Sequence, residues 1–205
     1  MELWTFLVAV AILELTPGPN MGYLASLAMT RGRVAGLIAT AGVACGLAVH
    51  AVVAGLGAGA LIQNSVLLYE VLRWIGVGYL LFLAWEGWRP ATENSPEKAD
   101  LSDAGALFVR GFLSNVFNPK SILFFVTVIP RFIGTDPGDR SIPFQMTVFG
   151  VLYVGVATAV HALVVTLAAQ LRPWLAEGSR RLWTRRILSI ALALMAVWLA
   201  WSTKR

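Results

Sequence analysis

Four ionisable side chains stand deep inside stretches that are otherwise apolar: Glu14, His50, Lys120 and His161. Two of them sit beside helix breakers. Glu14 is followed by Leu15-Thr16-Pro17-Gly18-Pro19-Asn20, and Lys120 closes the run Asn115-Val116-Phe117-Asn118-Pro119-Lys120. Proline lacks an N–H, clashes with the carbonyl four residues back, and pushes the residue before it out of the helical region. Each run therefore interrupts a helix and leaves backbone groups to find other partners. A carboxyl in an apolar setting can exchange a proton near neutral pH, and histidine titrates in the same range. A lysine inside an apolar run is rare and usually functional, the plain alternative being a side chain that snorkels to the cytoplasmic interface. For Glu14 the alternative is a static pair with Lys120 bridging the two breaks. For each histidine it is a hydrogen-bonded structural role.

The elements that carry these residues are membrane spans. The chain of 205 residues is 58% hydrophobic and 13% charged, with a mean hydropathy of +0.72, too apolar for a soluble domain of this length. Six stretches are long enough to span: Leu3–Met29, Val34–Ile62, Leu67–Trp88, Ala104–Ile133, Pro143–Leu171 and Trp183–Ser202. From Leu3 to the first break is ~21 Å of helix at ~1.5 Å per residue, deep in a hydrocarbon core of ~30 Å. Irregular backbone at that depth must be buried in protein or line a wet cavity, and transporters use such breaks to present helix ends to a substrate.

The net charge of +5 is a matter of topology, not of nucleic-acid binding. Ten basic residues, from Arg31 and Arg33 through Arg89, Lys98 and Arg110 to Arg172, Arg180, Arg181, Arg185 and Arg186, fall on one side, and five on the other. The positive-inside rule puts the ten in the cytoplasm and both termini outside. The eight tryptophans fall at span ends, where aromatic belts form. Glu2 and the lack of a basic n-region read as a retained helix, not a signal peptide. The segment 89–103 reads as a solvated loop.

The breaks occupy matching places in two three-helix halves, about 1–88 and 104–205, within one transmembrane domain. Three spans per half gives the halves opposite orientation, the pattern of an inverted repeat with paired broken helices. The expected fold is therefore all-α, with six transmembrane helices, the first and fourth broken. In the second span Ala39, Gly42, Gly46, His50 and Ala54 form a small-residue face, suited either to close packing or to lining a cavity.

Other classes fit poorly. No span holds an aspartate or a nucleophile–base or His-Glu-x-x-His pattern, so no catalytic residue and no enzymatic activity are expected. No phosphate-binding glycine motif occurs, and no cofactor is expected. Export of a cation or metal is an alternative, weakened because two histidines, Cys45 and Glu14 make a poor metal set, and none is assigned. A non-transporting membrane subunit is another, but has no need of two broken helices.

The motif Leu15-Thr16-Pro17-Gly18-Pro19-Asn20, then Arg31-Gly32 with Gly36, Gly42, Gly46 and His50, Gly76-Val77-Gly78-Tyr79-Leu80 with Trp85, and Gly111 through Lys120 followed by Phe124, Phe125, Pro130 and Phe132 together resemble the LysE-type (RhtB) amino-acid exporters, across essentially the whole chain. The resemblance implies a proton-driven, dimeric, multi-pass exporter of amino acids or close derivatives in the bacterial inner membrane. Its partners would be the substrate, protons, lipid and a second copy. Members carry an apolar or hydroxyl residue where this chain has Glu14, a difference that bears on charge preference. For an amino-acid substrate, Thr16, Pro17, Gly18, Pro19, Asn20, Asn115, Asn118, Pro119 and Lys120 are the candidate binding residues. Restarting helix ends and Lys120 suit the carboxylate, and the asparagines suit either polar substrate atoms or capping. Glu14 suits the ammonium or a proton, and Glu14, His50 and His161 are the candidates for proton coupling.

Overall fold

The computed structural model describes residues 2–16, 18–56, 65–88, 104–134, 139–175 and 178–202. Pro17 and the expected loop 89–103 lie outside them. The described residues form helices: α1 (Glu2–Leu15), α2 (Pro19–Arg31), α3 (Arg33–Gly55), α4 (Val66–Trp88), α5 (Ala104–Val116), α6 (Pro119–Leu123), α7 (Ile142–Gln170), α8 (Arg172–Leu175) and α9 (Gly178–Ser202). A π-helical turn, Phe124–Val128, and a 3-10 turn, Ile129–Phe132, prolong α6.

Both expected breaks are present. α1 and α2 meet at 56°, and α5 meets α6 with its continuation at 49°. In each case proline occupies the first turn of the restarted helix, where its missing N–H costs nothing. Among the described residues three helices are long and apolar enough to cross a membrane, or up to five if each bent pair is one span. The sixth expected stretch lies in α9, which is not among those five and whose first turns carry Arg180, Arg181, Arg185 and Arg186.

Tight turns and close contacts follow from particular glycines. Gly32 joins α2 to α3 at φ 94°, a conformation costly for any residue with a Cβ. On the small-residue face of α3, a Cβ at Gly42 would lie 2.0 Å from the Phe108 carbonyl oxygen. Reciprocally, one at Gly111 would lie 2.1 Å from that of Ala39. The face is thus the seam between α3 and α5, and packing is its role. α3 also packs on α7, and α4 on α9. There Arg73 of α4 donates to the Ala200 carbonyl, and Val77, Leu80 and Ala196 form a small buried cluster. Arg110 pairs with Glu86 at 2.6 Å and ties α5 to α4. The main core is built around Phe6, Leu24, Leu47, Phe124, Phe125 and Tyr153.

Candidate functional site

The two breaks meet. Asn20, in the first turn of α2, donates through Nδ2 to Oδ1 of Asn115 near the end of α5, at 2.6 Å; Ser121 Oγ bonds the same oxygen at 3.0 Å. Asn115 is fully buried. Asn20 Oδ1 and Asn115 Nδ2 are buried without a partner among the described residues. Turning both amides round exchanges donor and acceptor but still leaves each residue one unspent polar atom. Asn118 is a cap: its Oδ1 accepts from the backbone N–H of Lys120 at 3.0 Å. The restart of α2 is different, because Gly18 has no side chain to offer and the end is uncapped. Pro19 leaves the N–H groups of Asn20 and Met21 as the donors there.

Lys120 crosses from the second break to the first. Its ammonium donates to the carbonyls of Leu13 at 2.7 Å and Thr16 at 2.9 Å, at the broken end of α1, where the Leu13 carbonyl also accepts from the Thr16 N–H at 3.1 Å. Its stem passes Gly18, where a Cβ would lie 3.3 Å from both Cδ and Nζ. The head is thus held at the broken end of α1 by two carbonyls.

Glu14 is buried, 5% exposed, and its partners come from α7. Tyr153 donates its hydroxyl to Oε1 at 2.8 Å, and His161 Nε2 lies 3.3 Å from Oε2. Tyr153, Ala157 and His161 stand at i, i+4 and i+8 on one buried face, and the small Ala157 leaves the carboxylate room between the other two. Glu14 and Lys120 make no direct ion pair among the described residues: the carboxyl meets Tyr153 and His161 of α7, and the ammonium meets backbone carbonyls.

These groups surround a small cavity of about 10 Å³ that opens outward, lined by Glu14, Gly18, Asn20, Met21, Leu47, Asn118, Lys120, Ser121, Tyr153 and His161. Of the residues expected from sequence, Glu14, Gly18, Asn20, Asn118, Lys120 and His161 are brought together at its wall. Asn115 stands behind Asn20. Pro19 and Pro119 are buried helix starts. Thr16 is exposed, with its hydroxyl returned to the Ile12 carbonyl. His50 is elsewhere, 3.1 Å from the Val116 carbonyl. Met21, Leu47, Ser121 and Tyr153 were not singled out from sequence. For Tyr153 the available signal was its place two turns before His161 on the same helix face. Chemically, the cavity brings the Glu14 carboxyl, the Lys120 ammonium and the uncapped end of α2 to one wall lining.

The family model described as LysE type translocator matches residues 11–203. A homoserine/homoserine lactone efflux protein of Salmonella typhimurium is 32% identical over 181 residues, covering 85% of this chain and 84% of that protein. A protein of the same description from Salmonella typhi is 31% identical over the same shares. An uncharacterized membrane protein of Vibrio cholerae is 36% identical over 169 residues, 81% of this chain and 80% of its own. No solved structure matches. A family match spanning nearly the whole chain, with relatives above 30% identity over most of both lengths, establishes that this membrane protein belongs to the LysE type translocator family.

Proposed function

We propose that the chain exports amino acids or close derivatives, such as homoserine, threonine, lysine or homoserine lactone, from the cytoplasm across the bacterial inner membrane by proton-coupled antiport. The observation that carries this reading is the cavity between the two breaks, lined by both Glu14 and Lys120. The paired charges suit a small zwitterion, for which the space of about 10 Å³ must widen. The carboxylate goes to Lys120 and the free N–H groups of α2, and the ammonium to Glu14. Glu14 and His161, in contact at 3.3 Å, are the proton-coupling pair. The efflux activities named for the Salmonella relatives support the direction and the substrate class.

The architecture that goes with this function is a single domain of six spans in two inverted halves, about 1–88 and 104–205, acting as a homodimer. Support for the repeat comes from the matched breaks and from contacts between positional equivalents, α3 with α7 and α4 with α9. The test is a growth-protection screen against single amino acids and their toxic analogues, followed by transport of the hits in proteoliposomes with and without a pH gradient. Protection by none of the amino acids, or transport indifferent to the gradient, refutes the corresponding half of the proposal.

A further inference from the structure

The second break frees the last carbonyls of α5, and one of them is met from α3. His50 Nε2 lies 3.1 Å from the Val116 carbonyl oxygen. A carbonyl only accepts, so the ring proton in this contact is on Nε2. Nδ1 is buried and has no partner among the described residues, and a neutral ring satisfies the one bond the geometry offers. One turn earlier on α3, Gly46 makes room for Asn115: a Cβ there would lie 2.9 Å from the Asn115 Cβ. The same turn of α3 thus seats the two consecutive residues that end α5. The His50 ring also lies 5.9 Å from that of Phe125, which meets Tyr153 edge to face at 5.1 Å. Tyr153 in turn holds Glu14 at the cavity. His50 itself neither lines the cavity nor meets a carboxylate or ammonium there, the titratable groups of that wall being Glu14, Lys120, Tyr153 and His161.

We infer that His50 is a positioning residue of the export site and no part of its proton path: it caps the broken end of α5 and backs Phe125, holding Asn115 behind Asn20 and Tyr153 at the cavity. It is the counterpart of Lys120, which caps the broken end of α1. The inference rests on the export reading above.

Three variants, compared in proteoliposomes at two pH values, test it: His50→Gln, His50→Phe and Lys120→Met, each checked for folding by size exclusion and thermal stability in detergent. Glutamine places an amide N–H near the position of Nε2, so His50→Gln is expected to export within about twofold of wild type with an unchanged pH profile. Phenylalanine keeps the ring against Phe125 but removes the donor, so a folded His50→Phe is expected to lose roughly tenfold in maximal rate. A flattened pH profile, or lost export, in folded His50→Gln overturns the inference, as does wild-type export by His50→Phe. If His50→Phe does not fold, the glutamine variant decides alone by the same criteria. Normal export by folded Lys120→Met removes the cavity reading and this inference with it. Dead Lys120→Met beside wild-type export in both His50 variants overturns the inference alone.

Discussion

Replacing Lys120 by methionine keeps most of the stem and removes the ammonium, and the structure separates two consequences. The first is structural. The carbonyls of Leu13 and Thr16, now 2.7 and 2.9 Å from Nζ, lose this donor, and Leu13 keeps the bond from the Thr16 N–H. A hydrogen bond to a charged group contributes ~1.5–3 kcal/mol, and Thr16, on the exposed side, gives the smaller share. Against that, methionine removes the desolvation cost of an ammonium held in protein, so the net loss is ~1–3 kcal/mol. At ~2–4 °C per kcal/mol for a chain of this length, the melting temperature should fall by roughly 3–10 °C. The second consequence is functional. A substrate carboxylate deprived of its one full positive partner loses a charge-assisted bond, ~1.5–3 kcal/mol or roughly 10- to 150-fold in affinity.

The assay runs both measurements on one preparation: thermal unfolding in detergent, then proteoliposome export well below the lowered melting temperature. Expected is a folded, inserted protein whose export is lost even where it is stable. A variant with a lowered melting temperature but full export at low temperature would show that Lys120 only caps α1, and would refute its place in substrate binding.

Glu14→Gln keeps an acceptor for Tyr153 and the size of the side chain but cannot carry a proton; folding should be unchanged and export should lose its pH dependence, and a retained pH profile removes Glu14 from the coupling. Gly42→Val places new atoms where a Cβ alone is 2.0 Å from the Phe108 carbonyl oxygen, so α3 and α5 must part; a loss of ~1–3 kcal/mol is expected, and an unchanged melting temperature refutes the seam. Tags on both termini should be reachable from outside the cell, with a tag at Arg31 reachable only from within; a cytoplasmic C-terminal reporter signal overturns the topology.

The breaks were legible because proline acts on its own helix, so Pro17, Pro19 and Pro119 announce themselves in the sequence. The burial of Glu14 and Lys120 was legible because charges stand out in an apolar run. What they touch was not. Lys120 contacts the backbone of Leu13 and Thr16, and a carbonyl acceptor is the same in every residue type, so no spacing encodes the partner. Opposite charges beside two facing breaks read naturally as a pair; the actual partners of Glu14 depend on the rotation of α7, which its near-uniform apolarity leaves open. Tyr153 passes for core for the same reason, one aromatic among many. The small-residue face of α3 was ambiguous for a different cause: small side chains permit both a cavity and a close helix. Only the backbone of Phe108 against Gly42 settles which.

The two breaks, matched in position, are unequal in chemistry. At the second, Asn118 caps the restarting helix and His50 takes a freed carbonyl. At the first, Lys120 covers two carbonyls at the end of α1 while the restart of α2 is uncapped and Glu14 stands at the last turn of α1. Donors for an anion, Lys120 and the uncapped end of α2, therefore gather with the Glu14 carboxyl at the first break. An ammonium has three protons, and two are spent on Leu13 and Thr16. An anionic substrate group competes with those carbonyls for Lys120, and it is the stronger acceptor because it is charged. A lactone or amide offers only another neutral carbonyl and gains nothing in the exchange. The free acid should thus bind more tightly than its lactone or amide, by roughly five- to tenfold, the value of one charge-assisted over one neutral hydrogen bond. Competition of homoserine, its lactone and its amide against a radiolabelled substrate in proteoliposomes measures this directly. Equal inhibition by acid and lactone would show that the carboxylate is not read by Lys120 and α2, and that assignment would fall.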